Sequence, residues 1–283
     1  MLPDGRRGGV AGLLNSGNLI LFCGGLDFQD KERSECWTLE YNEKSWKTAN
    51  PLLQPVAFAA SGTVNDSFYV IGGWHENKAV NTLQVFSQGK WKLGPGLSTP
   101  RYGSCSVAYL DYLVVVGGWK SLRAKEALET QKTIEVFSIA RQKWKTLKTP
   151  ETFAGQSTGS CAPGNGGMIL VGGITYTNDD GSFQSQINDG ANILTFGKKN
   201  GGIEGHIRDG VAVSWHAGFG WIGDWLFLAG GRGVTGEKEK GIFRWKEGRT
   251  WEQFSNLPVP RDQSASLTLS SIWSNFASYC TKS

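Results

Sequence analysis

No stretch of this chain approaches the roughly eighteen consecutive apolar residues that a membrane-crossing helix needs, so no transmembrane span is predicted. An excess of one charge is also missing. With 29 Lys and Arg against 25 Asp and Glu, the formal net charge over 283 residues is only +4. That is too little to mark a binder of nucleic acid or of a membrane surface, and a mixed, solvated exterior is expected. Histidine is scarce: His75, His206 and His216 stand in unrelated contexts, which argues against a metal centre, and no cofactor is expected. The five cysteines include no Cys-x-x-Cys spacing, so a zinc site is not predicted. An odd number cannot all pair, and reduced thiols are the simplest reading, with a meeting of Cys23 and Cys36 as the alternative. A secretion signal is not read either. Arg6 and Arg7 precede the apolar Gly9 to Leu14, but Asn15, Ser16 and Asn18 interrupt that core, and the segment fits a β-hairpin better. With no leader and no span, the expected location is cytoplasmic, and the sequon-like Asn65-Asp66-Ser67 is read as a hairpin turn.

What the chain does have is glycine and tryptophan, 39 and 12 respectively, with 39% hydrophobic residues. Many tight turns and large packing anchors make this a folded, all-β composition. Apolar runs close on a glycine pair five times, at Gly24-Gly25, Gly72-Gly73, Gly117-Gly118, Gly172-Gly173 and Gly230-Gly231. After four of these pairs an aromatic residue is followed five to seven residues later by tryptophan: Tyr41 and Trp46, Phe86 and Trp91, Phe137 and Trp144, Trp245 and Trp251. The fourth copy has Phe196 and no tryptophan. Each copy offers four short β-rich runs, too few to bury both faces of its own sheet, so the copies must stack.

This repeat of roughly 45 to 58 residues, with diglycine, aromatic and tryptophan in fixed order, resembles the kelch motif, whose units are four-stranded blades of a β-propeller. The resemblance implies an all-β propeller of five complete repeats, near 9–50, 56–95, 101–148, 155–208 and 211–255, plus a partial sixth at 260–283, all in one domain spanning 1–283. The glycines would serve close backbone approaches, and Trp46, Trp91, Trp144 and Trp251 would fill the wedges between blades. Pro100-Arg101 and Pro260-Arg261 resemble the Pro-Arg that often opens such a unit, where arginine makes structural hydrogen bonds. The fifth copy is expected to turn at Gly220 to Gly223. Cys105 and Cys161, in the matching contexts Gly103-Ser104-Cys105 and Gly159-Ser160-Cys161, fall at equivalent points of innermost strands in adjacent blades.

The inserts after each diglycine vary in length and chemistry while the frame repeats, and in a propeller they gather on one face. They are Leu26 to Glu35, Trp74 to Asn81, Trp119 to Lys132, Ile174 to Asp189 and Arg232 to Lys240. The run Leu122 to Glu129 is read as one or two helical turns or a solvated loop. Candidate partner-binding residues are Trp74, His75, Trp119, Lys120, Arg123, Tyr176, Asp179, Asp180 and Arg232, with the tryptophans as anchors or as simple packing residues.

Catalysis finds little support. The same architecture carries copper oxidases similar to galactose oxidase and a sialic-acid epimerase, but three dispersed histidines do not supply the former's ligands and the latter's acid-base residues have no match. Glu247 to Trp251 resembles an Asp-box turn only in part, and Gly231 to Lys238 lacks the lysine of a phosphate loop. The resemblance therefore implies a non-enzymatic protein-interaction module, of substrate-receptor, scaffold or actin-binding type, whose partner is a peptide motif, a ubiquitin-ligase subunit or actin. No BTB-like or F-box-like segment precedes the repeats, so a ligase role would need another region or subunit. The rival reading is a carbohydrate-binding or carbohydrate-active propeller.

Overall fold

The structure, a computed structural model, describes residues 2–120, 129–147, 159–164, 167–179, 182–187, 191–195, 203–207, 213–215, 217–233 and 235–263. The described residues form a β-propeller with five four-stranded antiparallel blades. Blade 1 is built from Val10–Leu14, Leu19–Cys23, Cys36–Glu40 and Lys47–Ala49, and blade 2 from Ala60–Val64, Ser67–Ile71, Leu83–Ser87 and Lys90–Gly94. Blade 3 uses Cys105–Tyr109, Tyr112–Val116, Ile134–Ser138 and Lys143–Leu147. Blade 4 uses Ser160–Gly164, Gly167–Val171, Ala191–Thr195 and Ile203–Ile207, and blade 5 Gly218–Ile222, Trp225–Ala229, Gly241–Trp245 and Glu252–Asn256.

The second strands of blades 2, 3 and 4 are covered on both faces over nearly their whole length, which is why they read as unbroken apolar runs. Leu113 to Val116 and Met168 to Val171 are buried throughout. The core is accordingly a set of layers between blades. Leu21 and Cys36 of blade 1 meet Phe68 and Val70 of blade 2, Ile71 and Leu83 of blade 2 meet Leu113 and Phe137 of blade 3, Val114 and Ile134 meet Met168 and Leu170, and Ile169 and Val171 meet Leu226 and Leu228. The repeated tryptophan sits against the layer shared with the preceding blade. Trp91 donates its indole N–H to Asn50 O at 2.9 Å and Trp144 to Pro95 O at 2.6 Å, each reaching the end of the neighbouring unit. Those bonds pair the polar edge of each indole while the ring body packs against the inter-blade layer.

Both residues of every glycine pair have positive φ. At Gly73 (φ 107°) a Cβ would lie 2.9 Å from Ala57 O, so a side chain there meets backbone as well as strain. The pair also links units: Gly25 N donates to Val56 O at 2.9 Å, Gly73 N to Arg101 O at 2.8 Å and Gly231 N to Arg261 O at 2.6 Å. A second set of backbone bonds runs from unit to unit at the channel mouth, Phe58 N to Gly8 O, Gly103 N to Phe58 O and Gly8 N to Gln263 O. Residues 261–263 therefore stand between blade 5 and blade 1, in the register of an opening phrase. The expected remainder of a sixth copy, 264–283, lies outside the described residues.

Two expectations change. Four of the five cysteines read as reduced thiols are paired: Cys23 and Cys36 form a disulfide within blade 1, and Cys105 and Cys161 form another between the innermost strands of blades 3 and 4. Blade-to-blade closeness, invisible in a separation of 56 residues, brings the second pair's Cα atoms to 6.0 Å. The fifth copy does not turn at Gly220. Gly220 to Ile222 continue the innermost strand opposite Trp225 to Phe227, because the tight turn belongs to Gly223 and Asp224. The longest insert forms a hairpin of its own, Ile174–Asp179 against Ser182–Ile187. The run expected as helical turns or loop, 122–129, falls almost wholly outside the described residues.

Candidate functional site

Strand direction sorts the connections onto two faces. Each second strand starts at a hairpin tip and ends at its glycine pair, so the inserts after the pairs share one face and the tips the other. The inserts begin as short ladders. Trp74–His75 pairs with Lys78–Ala79, and Trp119–Lys120 with Glu129–Thr130. Two more bridges tie the inserts to the openings of the innermost strands. Trp74 and Ala57 exchange backbone bonds of 2.7 and 3.1 Å, and Trp119 and Tyr102 exchange bonds of 2.8 and 3.1 Å. Every backbone group so paired fixes the direction of the side chain it carries.

The consequence is an aromatic row across the boundary of blades 2 and 3. The Trp74 and Tyr102 rings cross edge-on with centroids 4.8 Å apart, and the Tyr102 and Trp119 rings meet at 5.3 Å and 60°. Each such pair contributes about 0.5 to 1.5 kcal/mol beyond simple burial, so the row is held in shape before anything binds. All three residues are half-buried, leaving part of each ring at the surface. Lys120 is exposed beside the row. The His75 side chain is only 15% exposed, with Nε2 3.7 Å from Glu76 Oε1 and no partner for Nδ1 among the described residues. Blade 4's insert packs next to blade 3's, the strand Ile174–Asp179 lying beside Glu129–Thr130. Thr130 and Thr175 are buried there.

Not every predicted residue joins this row. Arg232 belongs to blade 5, across the ring, and is occupied by Asp262 at 2.7 Å and by Gly236 O at 3.0 Å. Lys238 reaches the same carboxylate at 3.2 Å. Burial works to raise the Asp262 pKa, but hydrogen bonds from Arg232 and Lys238 outweigh it and hold the group below its ordinary value. Arg232 is thus a clamp on the segment around Asp262 that follows blade 5. Tyr176 and Asp179 lie in the strand Ile174–Asp179, while Arg123 and Asp180 fall outside the described residues. Sequence reasoning passed over Tyr102, the middle ring of the row. Its signal was register: it directly follows Pro100-Arg101, the phrase that opens a unit.

Arg101 is what holds that opening in place. It is fully buried and donates to Gly117 O at 3.0 Å, Thr133 O at 3.2 Å, Thr133 Oγ1 at 2.9 Å and Glu135 Oε1 at 2.7 Å. Burial lowers the Arg101 pKa and the Glu135 charge works against that, leaving the guanidinium charged. Glu135, equally buried, also accepts from Ser98 N and Ser98 Oγ at 2.7 Å and from Thr99 N at 3.3 Å. One carboxylate therefore secures the connector from blade 2 to blade 3 and, through Arg101, the residue next to Tyr102. Blade 2 solves the same problem without charge: Val56 stands where Arg101 does, and Gln84 exchanges bonds of 2.9 and 3.0 Å with the backbone of Gln54.

A row of pre-set aromatic edges on a broad face suits contact with another molecule. The innermost strands enclose a channel of about 360 Å³ walled by small residues such as Gly12, Ala60, Ser61, Ser106 and Ala162, with no cluster of three metal-ligating side chains among the described residues.

Comparison with known proteins agrees with the repeat. The Kelch motif matches residues 55–98 and 100–151, which are blades 2 and 3 with their connectors. Among curated proteins, Kelch-like protein 33 of Homo sapiens is 25% identical over 109 residues, 37% of this chain and 20% of that protein. The match thus spans about a fifth of that relative's length.

Proposed function

We propose that this chain, whose residues 55–98 and 100–151 match the Kelch motif, acts over residues 1–283 as one kelch-type propeller that holds a partner protein by a short segment on the post-diglycine face. The observation that carries the reading is the aromatic row Trp74, Tyr102, Trp119, set across two blades by paired backbone bridges and ring contacts. Half-buried tryptophans on a rigid frame supply contact area at low entropic cost, which is the usual make-up of an interface anchor. Kelch repeats serve in general as interaction modules, and no catalytic step is assigned. Service as a substrate receptor, as a scaffold or in actin binding are versions of this role that the partner's identity would distinguish, and intact activity of any longer protein rests on that identity too.

The test is affinity capture with mass spectrometry, run beside a glycan array, using the wild-type chain and the variants Trp119→Ala, Trp74→Ala and Trp144→Ala. Loss of a central aromatic anchor is expected to weaken the captured partner by about 2 kcal/mol, about thirtyfold in Kd, at nearly unchanged melting. Trp144→Ala, which opens a gap between blades 2 and 3, is expected to lower melting first. Equal binding by wild type and both row variants would refute the assignment, and selective glycan binding lost in the same variants would move it to carbohydrate.

A further inference from the structure

All four described cysteines are paired, and the two bridges differ in a telling way. Cys23 and Cys36 face each other on adjacent strands of blade 1 with no exposure at all. Cys105 and Cys161 instead join two blades and form part of the channel wall, where both are partly exposed. Small thiols reach such a bridge, and the glutathione of a reducing compartment would keep it open. A fold that closes both pairs is a fold for an oxidising compartment.

A second, independent feature belongs to the same compartment. Asn65-Asp66-Ser67 has the form of an N-glycosylation acceptor. Asn65 and Asp66 are the two central residues of the hairpin between Ala60–Val64 and Ser67–Ile71, both with positive φ (47° and 57°), and both are exposed. The Asn65 amide is engaged in one exposed contact, Nδ2 to Asp111 Oδ1 at 3.1 Å. A glycosylated amide keeps one N–H as a donor. The tip lies at the start of the strand that ends at Gly72-Gly73, which puts it on the face opposite the aromatic row.

We propose that Asn65 is an N-glycosylation site of a disulfide-bonded, exported protein, in place of the cytoplasmic one that its unremarkable N-terminal segment led us to expect. In the transfer, Nδ2 forms a bond to the anomeric carbon of an oligosaccharide carried on a lipid pyrophosphate. The sugar–phosphate bond breaks, the lipid pyrophosphate leaves with the electron pair, and Nδ2 gives up one proton. Ser67 supplies the hydroxyl that completes the acceptor sequence. The glycan would shield the hairpin-tip face and leave the insert face open, so the site stands whether or not the aromatic row is the binding surface.

The test is to produce the full chain in a eukaryotic secretory host behind a cleavable leader and, in parallel, in a reducing cytosol. Intact mass is measured before and after peptide N-glycosidase, and free thiols are counted by alkylation in denaturant without reductant. The secreted chain is expected to carry one glycan, absent from both Asn65→Gln and Ser67→Ala, and to take up one alkyl group for its five cysteines, since four are in bridges. The cytosolic product, with open thiols, is expected to melt lower and to rise on oxidation. A folded secreted chain without a glycan, or one with three or more reactive thiols, would overturn the proposal. So would a cytosolic product that is as stable with five free thiols as the secreted form.

Discussion

The buried Arg101–Glu135 pair lends itself to a quantitative test because the protein contains its own uncharged control. Both side chains have no exposure, and their 2.7 Å contact is one of four hydrogen bonds made by the guanidinium within 3.2 Å. Glu135→Gln would leave that guanidinium buried without a counter-charge. Arg101→Val would leave the carboxylate with its three bonds from Ser98 and Thr99 and no cation. Breaking a buried pair from one side costs about 3 to 5 kcal/mol, on the order of 10 °C in Tm for a chain of this size. The double variant Arg101→Val/Glu135→Gln imports the arrangement that blade 2 already uses, with Val56 and Gln84 in the matching positions. It removes both charges together, so its loss should be smaller than the sum of the single losses by at least about 2 kcal/mol. Urea unfolding of the wild type, the two single variants and the double variant measures this coupling. Additive losses, or a single variant that unfolds like wild type, would show that the pair does not hold the connector.

Two further outcomes test the frame. Gly118→Val should lower the urea midpoint by the equivalent of about 1 to 3 kcal/mol, since at φ 87° its Cβ would stand 2.9 Å from Tyr102 O, whereas Gly89→Ala, with open space around it, should lose less. Asp262, held below its ordinary pKa, contributes stability in full above the unfolded value near pH 4 and loses it as pH falls through the lower folded value. The melting difference between wild type and Asp262→Asn should therefore be constant from neutral pH to about pH 5 and shrink below about pH 4. A difference unchanged at pH 3 would mean that the carboxylate charge is not what clamps residues 261–263 to blade 5.

The sequence by itself determined the blade. Diglycine, aromatic and tryptophan obey rules that act within a few residues: positive φ, a strand end, and a ring pointing to one side of the outermost strand. Because the rules are local and recur, they can be read without coordinates, and the fold class followed from their repetition. The resemblance to the kelch repeat implied a structural donor at Arg101, and the matching Gly-Ser-Cys contexts set Cys105 and Cys161 at equivalent points on neighbouring innermost strands. Where glycine did not punctuate, local reading failed: Gly220 looks like a turn residue, and only its pairing partner Phe227 shows it to be strand. What tertiary structure alone decided are the relations between blades. The closeness of Cys105 to Cys161, the junction of Tyr102 with tryptophans from two inserts, and the capture of Arg232 by Asp262 all depend on how far one sheet is rotated from the next. No single repeat encodes that rotation. It comes from the summed packing of side chains between sheets, so the aromatic row and the Cys105–Cys161 bridge emerge only when the blades are packed together.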